Sequence, residues 1–295
     1  MIYFKNILII IFLLLVNYSF SQLDELEDIL DEEMKDNIDY TIATFKSARI
    51  INGHSIEKVH KKEFDFRISH RFGKINSGAY ELFGLDQASS QLRLDYGISD
   101  WLTIGLGRSS YKKIYDGYLK FSLIRQSSGA KIMPVSVSYL TSCYVNSLKW
   151  TNEERNNYFS SRLSYLHQIL IARKFNKDLS LQISPTVIHR NLTEKSEIKN
   201  DLYSIGIGGR HKISKRVTFN AEYFYVLTSQ ENDIIEHYNS LSLGIDIETG
   251  GHVFQLIFTN SLAMTENGFI GETSGKWLDG DIHFGFNISR VFTFK

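Results

Sequence analysis

The 295-residue chain has one cysteine, two prolines, no net charge and a single long apolar run. One cysteine cannot form an intramolecular disulfide framework. The balance of 33 basic against 33 acidic residues argues against a nucleic-acid-binding domain, which is normally basic. A helical membrane protein with several spans would need several apolar runs of about 20 residues. With 43% apolar and 13% aromatic residues, the chain is also too hydrophobic to be disordered.

The long apolar run, residues 7–16, follows Lys5 and precedes the small residues Ser19 and Ser21. A positive start, a short apolar stretch and small residues together are typical of a secretory signal peptide. The alternative is a membrane anchor, but a helix of this length covers only about 15 Å of a bilayer core that is roughly 30 Å thick. We therefore predict a signal peptide over residues 1–21, cleaved before Gln22.

Residues 22–40 form an acidic segment, in which nine carboxylates are opposed by Lys35 alone. Its apolar residues recur at three-, four- and seven-residue spacings, which predicts a weakly amphipathic helix. Residues 22–39 thus carry a charge of −8, and residues 40–295 carry +7. The segment is either a solvated periplasmic spacer or an acidic element that docks on the basic remainder of the chain.

From Phe64 to the C-terminus, apolar and polar residues alternate. Leu181 and Ile183, for example, alternate with Gln182 and Ser184. Because successive side chains of a strand point to opposite faces, each such segment has one apolar and one polar face. The segments reach about ten residues or more, as membrane-crossing strands do, whereas ordinary strands average five or six. In lipid an open sheet edge would leave unpaired backbone groups, so the sheet has to close.

The sequence therefore predicts an all-β fold, a single antiparallel transmembrane β-barrel over residues 63–295. We predict twelve strands, with ten and fourteen as alternatives, since single-chain barrels have even numbers. Long and short connections mostly alternate, as extracellular loops and periplasmic turns do. Residues 41–62 are then a luminal or periplasmic segment and not a thirteenth strand. The predicted strands are 63–73, 86–98, 101–109, 115–124, 134–146, 158–175, 178–190, 201–213, 216–227, 240–248, 252–262 and 281–294.

Several segments also carry a family resemblance. They are Thr44–Glu57 (TFKSARIINGHSIE), Asp65–Gly73 (DFRISHRFG), Gly78–Ala88 (GAYELFGLDQA), Pro185–Leu192 (PTVIHRNL), Ile247–Leu256 (IETGGHVFQL) and Gly280–Arg290 (GDIHFGFNISR). In these segments the chain resembles a Bacteroidota group of outer-membrane β-barrels, the domain-of-unknown-function family 5777. The resemblance covers nearly all of residues 41–295 and leaves out the acidic segment. It implies an outer-membrane barrel and no particular activity.

Motifs for catalysis and metal binding are missing from the sequence. It contains no His-Glu-x-x-His, no Gly-x-Ser-x-Gly and no Cys/His cluster with zinc spacing. His70, His167, His189 and His211 fall on or near the apolar rows, but no serine and carboxylate accompany them at a defined spacing. We therefore predict a protein that is not an enzyme, without catalytic residues, cofactor or metal.

The polar rows of the predicted strands supply candidate lumen-facing residues. Such rows either fill a small barrel with ion pairs and hydrogen bonds, or make a net-positive lumen that favours anionic solutes or holds the acidic segment as a plug. The candidates are Arg67, Arg71, Arg93, Asp95, Lys120, Arg162, Arg190, Arg210, Lys212, Glu222 and Asp246. A second group is Lys46, Arg49, His54 and Glu57. The packing of strands does not account for the residue types in this group. We therefore predict that these four residues form a luminal constriction or a partner contact.

The function predicted from these features is that of a non-enzymatic outer-membrane barrel, either a narrow channel or a structural component. One alternative is an accessory barrel of an envelope complex, such as the Bacteroidota secretion and gliding apparatus. Another is an outer-membrane hydrolase that acts on lipid. The expected partners are outer-membrane lipid and, for the accessory barrel, other envelope proteins, with no nucleic acid. The sequence does not identify a solute.

Overall fold

Strands form where the sequence alternates with a period of two. The computed structural model describes residues 37–151, 153–154, 156–193, 198–228 and 237–294. The predicted signal peptide and residues 22–36 of the acidic segment lie outside the described residues, so the cleavage before Gln22 and the helix stay predictions. Within the described ranges, no helix is long and apolar enough to cross a membrane.

The described residues contain fourteen strands and one short α-helix, α1 (Glu266–Gly271). Single 3-10 turns lie at Ile75–Ser77, Leu82–Gly84, Tyr111–Lys113 and Phe159–Arg162. In chain order, the strands are β1 (Ile38–Tyr40), β2 (Glu63–Lys74), β3 (Ala88–Ser99), β4 (Leu102–Ser109), β5 (Ile114–Ile124), β6 (Ser127–Gly129), β7 (Ser136–Asn146), β8 (Leu163–Lys174), β9 (Leu179–Arg190), β10 (Asp201–Lys212), β11 (Val217–Val226), β12 (Ser240–Thr249), β13 (His252–Thr259) and β14 (His283–Thr293).

Twelve of these strands form one closed antiparallel barrel, which confirms the predicted fold and strand number. Around the barrel the order follows the chain from β2 to β14, with β6 left out. The ring closes where β14 pairs with β2, for instance at Ile288 opposite Ile68 and Phe292 opposite Phe64. Every strand of the ring therefore has two neighbours and no edge is exposed.

A separate small unit contains residues 37–41 together with residues 126–134. In its described part, β1 pairs with β6, with Ile38 opposite Gly129 and Tyr40 opposite Ser127. The helix predicted across residues 22–40 is therefore wrong for Ile38–Tyr40, which form a strand. Their hydrogen bonds with a distant segment outweigh the weak local helix pattern.

Burial in the barrel wall is the inverse of burial in a soluble protein. In β9 the apolar Leu181 and Ile183 are exposed on the outside, whereas Gln182, Ser184 and Thr186 are buried on the inside. A wall with apolar residues outward and polar residues inward is the pattern of a barrel that faces lipid and encloses a polar lumen.

The two ends of the barrel differ in the length of their connections. At one end, called here the short-turn end, residues 100–101, 175–178, 213–216 and 250–251 join consecutive strands, and β2 begins and β14 ends there. The exception at this end is the longer connection 125–135 between β5 and β7, which contains β6. At the other, the long-loop end, the connections include residues 75–87, 147–162, 191–200, 227–239 and 260–282. The predicted strand 158–175 was too long, because Phe159–Arg162 form a 3-10 turn in one of these long loops.

Candidate functional site in the barrel lumen

The segment between the small unit and the barrel folds back into the lumen. Residues 42–60, called here the luminal hairpin, reverse direction at Asn52: Arg49 and His54 form an antiparallel bridge, and the Ile50 N–H donates to the Gly53 carbonyl at 2.9 Å. The hairpin then leads directly into β2. Of the two places predicted for residues 41–62, luminal or periplasmic, the hairpin residues occupy the lumen.

Apolar residues on one side of the hairpin contact apolar residues of the wall. Phe45, Ile50, Ile51 and Ile56 form a buried cluster with Leu170, Ala172 and Ile257. Close approach depends on glycine, because a Cβ at Gly208 in β10 would lie 2.4 Å from Cδ1 of Ile50. Burial of each such side chain contributes about 1.5–3 kcal/mol to stability. Packing therefore holds the hairpin against β8, β10 and β13.

The tip of the hairpin surrounds a carboxylate. Glu222 of β11 accepts hydrogen bonds from three consecutive backbone N–H groups, those of Ile51 at 3.2 Å, Asn52 at 2.8 Å and Gly53 at 3.1 Å. Successive N–H groups that converge in this way form an anion-binding concavity. Glu222 thus satisfies the backbone donors of a turn that is buried in the lumen, and it anchors the tip to the wall.

Other wall side chains bond to the hairpin around most of the barrel's circumference. Most of them donate hydrogen bonds to backbone carbonyls. These contacts therefore depend on the path of the hairpin's main chain and not on its side chains. The donors are Gln182 to His54 (2.8 Å), Gln255 to Ile50 (2.8 Å), Asn287 to Ile51 (3.1 Å), Lys120 to Ser55 (3.2 Å) and to Glu57, and Arg210 to Ala43 (2.8 Å) and Thr44 (3.1 Å). Arg71 donates to the side-chain carbonyl of Asn52 at 2.8 Å.

A second element enters the lumen from the long-loop end. Helix α1 is buried throughout, and its Phe269 lies edge-on to Phe224 of β11 with ring centroids 5.0 Å apart. The apolar side chains around it are Ile114, Tyr118, Leu140, Tyr144, Leu166, Ile188, Leu202 and Ile270. The lumen is therefore occupied from both ends, by the luminal hairpin and by α1.

The two elements meet at one buried ion pair. Arg49 of the hairpin donates to a carboxylate oxygen of Glu266 in α1 at 2.6 Å, and the Tyr144 hydroxyl donates to the other oxygen at 2.9 Å. The Arg49 guanidinium also lies 2.9 Å from Nε2 of His54. Arginine can only donate, so Nε2 accepts and His54 is neutral. Burial lowers the pKa of His54 well below its ordinary value, and the positive charges of Arg49 and Lys120 lower it further.

Most of the predicted luminal residues lie on the inner face. Arg67, Arg71, Arg93, Asp95, Lys120, Arg210, Glu222 and Asp246 are buried there. Arg190 and Lys212 end their strands and are only partly buried, with Arg190 3.5 Å from the Asn267 carbonyl near α1. The prediction for Arg162 is wrong, because it lies in a 3-10 turn of a long loop and covers the ring of Trp150.

The second predicted group belongs to the luminal hairpin. Besides Arg49 and His54, it includes Lys46, which forms an ion pair with Glu248 at the short-turn end of β12. Glu57 accepts a hydrogen bond from the Phe45 N–H at 3.0 Å, so it ties the two arms of the hairpin together. The four residues thus hold the hairpin's own shape as well as its place.

Sequence reasoning missed the residues that balance the charge of the lumen. Asp116 pairs with Arg93 inside the wall, and Glu266 was part of a loop with no strand pattern. Across the described wall residues, the buried charges are five cations (Arg67, Arg71, Arg93, Lys120, Arg210) and five carboxylates (Asp65, Asp95, Asp116, Glu222, Asp246). The alternative of a net-positive lumen is therefore wrong for the buried wall. The alternation over residues 114–124 would have revealed Asp116.

The sequence matches one protein family over most of its length. The family is described as a membrane-bound β-barrel domain (DUF5777), and its sequence model covers residues 45–292. The chain belongs to the DUF5777 family. The match includes all but the first residues of the luminal hairpin. The family description names neither a lineage nor an activity, so the Bacteroidota origin stays a prediction.

Solved structures similar to this DUF5777 chain include outer-membrane proteins of low sequence identity. The NanC porin is 9% identical over 79% of this chain and 99% of its own, with a TM-score of 0.48. The KdgM porin is 8% identical over the same shares, with a TM-score of 0.46. An outer-membrane channel from Pseudomonas putida F1 is 10% identical over 80% and 97%, with a TM-score of 0.47. No curated protein sequence matches the chain.

Two histidines on the outside of the DUF5777 barrel bond to a neighbouring strand. His70 lies 3.2 Å from the Ser90 hydroxyl, and His189 lies 2.7 Å from a carboxylate oxygen of Asp201. The serine pair is on β2 and β3 and the carboxylate pair is on β9 and β10, so these two pairs do not form a serine, histidine and carboxylate triad. They also contain no group of three or more His, Cys, Asp or Glu side chains placed to hold a metal.

Proposed function

We propose that this chain is a non-enzymatic outer-membrane channel that the luminal hairpin and α1 keep closed. The observation that carries the proposal is how the wall bonds to the hairpin. The side chains of Gln182, Gln255 and Asn287 donate hydrogen bonds to carbonyls of the hairpin backbone. Water molecules in an open lumen would accept the same hydrogen bonds. If the hairpin left and α1 moved aside, these polar groups would be hydrated and the lumen would become an aqueous path.

The outer-membrane location rests on the barrel together with the sequence. Closed antiparallel barrels with an apolar outer face and an even number of strands are typical of bacterial outer membranes. The predicted signal peptide supports export, and the family description supports membrane attachment.

The luminal hairpin is the better gate of the two luminal elements, because it can leave from the short-turn end. Lys174 at that end of β8 donates to the Ile42 carbonyl at 2.9 Å, and the Lys46–Glu248 ion pair lies at the same end. The chain that precedes the hairpin includes the acidic segment. A force or a partner that acts on that segment would pull on the hairpin directly.

Single-channel recording of the purified protein in planar bilayers tests the proposal. The native protein should stay closed for most of the time. Glu222→Gln replaces one of the two acceptor oxygens at the hairpin tip by an NH2 donor and removes the negative charge. Arg49→Gln removes the ion pair with Glu266, so each variant should increase the open time several-fold. Glu248→Gln is the matched control, because a partly exposed ion pair contributes only about 0–1 kcal/mol, and it should change little.

A variant that lacks residues 42–60 and carries a glycine-serine linker in place of α1 gives the decisive result, because both luminal elements are then removed. If it folds, as shown by its heat-modifiable migration in gels, it should conduct in large, stable steps. Permanent silence of this folded variant would contradict the channel and would identify the lumen as a structural core.

The second candidate function is an accessory barrel of an envelope complex, and the occupied lumen favours it. A barrel filled by Phe269, Ile270 and the hairpin cluster needs no solute to be useful. This candidate predicts envelope proteins that co-purify in mild detergent. Isolation of the barrel alone under those conditions would count against it.

A further inference from the structure

A cavity of about 850 Å³ opens at the long-loop end of the barrel, away from the luminal hairpin. Its walls come from the β7–β8 connection, with lining residues between positions 146 and 151 and between positions 156 and 162, and from Leu192 and Thr193 after β9. Its volume falls in the range of about 300–1,000 Å³ that is usual for ligand sites. None of its lining residues belongs to the luminal hairpin or to α1, so binding there does not require that the barrel is a channel.

Arg162 fixes one aromatic wall of the cavity. Its guanidinium carbon lies 3.9 Å from the centroid of the Trp150 ring, and it donates to the Asn146 carbonyl at 2.8 Å. A guanidinium stacked on one face of an indole leaves the other face and the ring edge for a ligand. Tyr158, which is 65% exposed, adds a second ring to the lining.

The remaining lining residues combine positive charge with amide and hydroxyl groups. Lys149 and Arg162 are the charged residues among those that line the cavity in the described part of the chain, and no carboxylate lines it there. The polar uncharged residues are Asn146, Thr151, Asn156, Asn157, Ser161 and Thr193. Amides and hydroxyls bond to sugar hydroxyls, aromatic rings cover the apolar faces of sugar rings, and cations attract carboxylates.

We propose that this cavity binds an acidic oligosaccharide, with sugars that carry carboxylates of the uronic-acid type. The same chemistry is available from a soluble oligosaccharide and from the glycan of a lipopolysaccharide in the surrounding leaflet. Both would approach the long-loop end of the barrel.

Calorimetry on the full-length protein in phospholipid nanodiscs tests the proposal, with a trisaccharide of uronic acids from alginate as the probe and neutral maltotriose as the comparison. The uronate should bind saturably and maltotriose should bind more weakly. Lys149→Ala and Arg162→Gln should each weaken uronate binding roughly tenfold, as the loss of one charge-assisted hydrogen bond does. Lys177→Ala removes an exposed charge at the short-turn end and should change nothing.

Lys149→Ala keeps the test valid if Arg162→Gln disturbs the loop, because Lys149 is exposed at the surface. Equal affinity for maltotriose, no saturable binding of the uronate, or unchanged binding in the Lys149→Ala variant would each overturn the proposal. A second set of nanodiscs that contain lipopolysaccharide separates the sources: competition with the uronate indicates the membrane glycan, and undiminished binding indicates a soluble one.

Discussion

Arg49, His54 and Glu266 show how single residues hold the lumen closed. All three are at most 4% exposed, and Arg49 donates to the other two at 2.6 and 2.9 Å. Removing one member of a buried charged pair leaves the other uncompensated, which costs about 3–5 kcal/mol. The neutral state of His54 is part of this arrangement, because a protonated ring would place a second positive charge against Arg49.

We predict that the luminal hairpin loosens as the pH falls below about 6.5, the ordinary pKa of histidine. A released hairpin exposes His54, which then takes up a proton at its ordinary pKa, whereas the docked hairpin keeps the pKa of His54 well below that value. Acid therefore favours the released state, and the docking is most stable above the ordinary pKa.

Hydrogen exchange of peptides from residues 44–57, corrected for the intrinsic effect of pH, measures this loosening. His54→Gln keeps an acceptor for Arg49 and should remove most of the pH dependence, whereas His211→Gln on the outer wall should preserve it. An unchanged dependence in the His54→Gln variant would show that another group is responsible.

Among the structural elements, the luminal hairpin depends on close approach to strands that carry glycine. Gly208 in β10 gives room to Ile50, and a Cβ at Gly53 would lie 2.8 Å from the Phe224 ring. A Cβ at Gly208 meets only the end of the Ile50 side chain, which can turn away, but the two γ-methyl groups of a valine also approach Cγ1 and Cγ2 of Ile50. A valine therefore has to displace the hairpin or distort the wall, and overpacking of this kind costs about 1–3 kcal/mol. Moving the hairpin costs less free energy than distorting the wall, because the hairpin belongs to no sheet.

We therefore predict that Gly208→Val releases the hairpin while the barrel stays folded. The variant should show faster hydrogen exchange in residues 44–57 and a longer open time in bilayers. Adding Ile50→Ala removes the clashing group and should restore slow exchange. Gly250→Ala, at a turn with open space around the added Cβ, is the control and should behave like the native protein.

The elements also show which parts of the structure were predictable. The strands of the barrel wall were predictable, because the alternation of apolar and polar residues is a local signal within each strand. Arg162 was misplaced because the alternation was extended into Phe159–Arg162, which form a 3-10 turn. The docking of Asn52 on Glu222 was not predictable, since these residues lie 170 positions apart and backbone donors leave no pattern in the sequence.

On the scale of the whole molecule, the outer surface is a continuous apolar band. Ile171, Ile183 and Ile207 lie side by side on β8, β9 and β10, and each is more than a third exposed. A soluble protein would aggregate through such a surface, whereas in a bilayer it is solvated by lipid chains. This arrangement explains why the barrel sequence has no long apolar run, since apolar residues in alternate positions never form one.

We predict that a charge in this band destabilises the barrel according to its depth in the membrane. Ile183→Lys, within β9, should cost about 2–4 kcal/mol, and Ile213→Lys, just beyond the end of β10 at the short-turn end, about 0–1 kcal/mol. Ile183 is 50% and Ile213 62% exposed, so in a water-soluble barrel both changes would stay within about 0.5 kcal/mol. Equilibrium unfolding by guanidinium in phospholipid vesicles measures the difference. Equal and small effects at the two positions would contradict a membrane-spanning barrel, because only a bilayer distinguishes two exposed isoleucines by their depth.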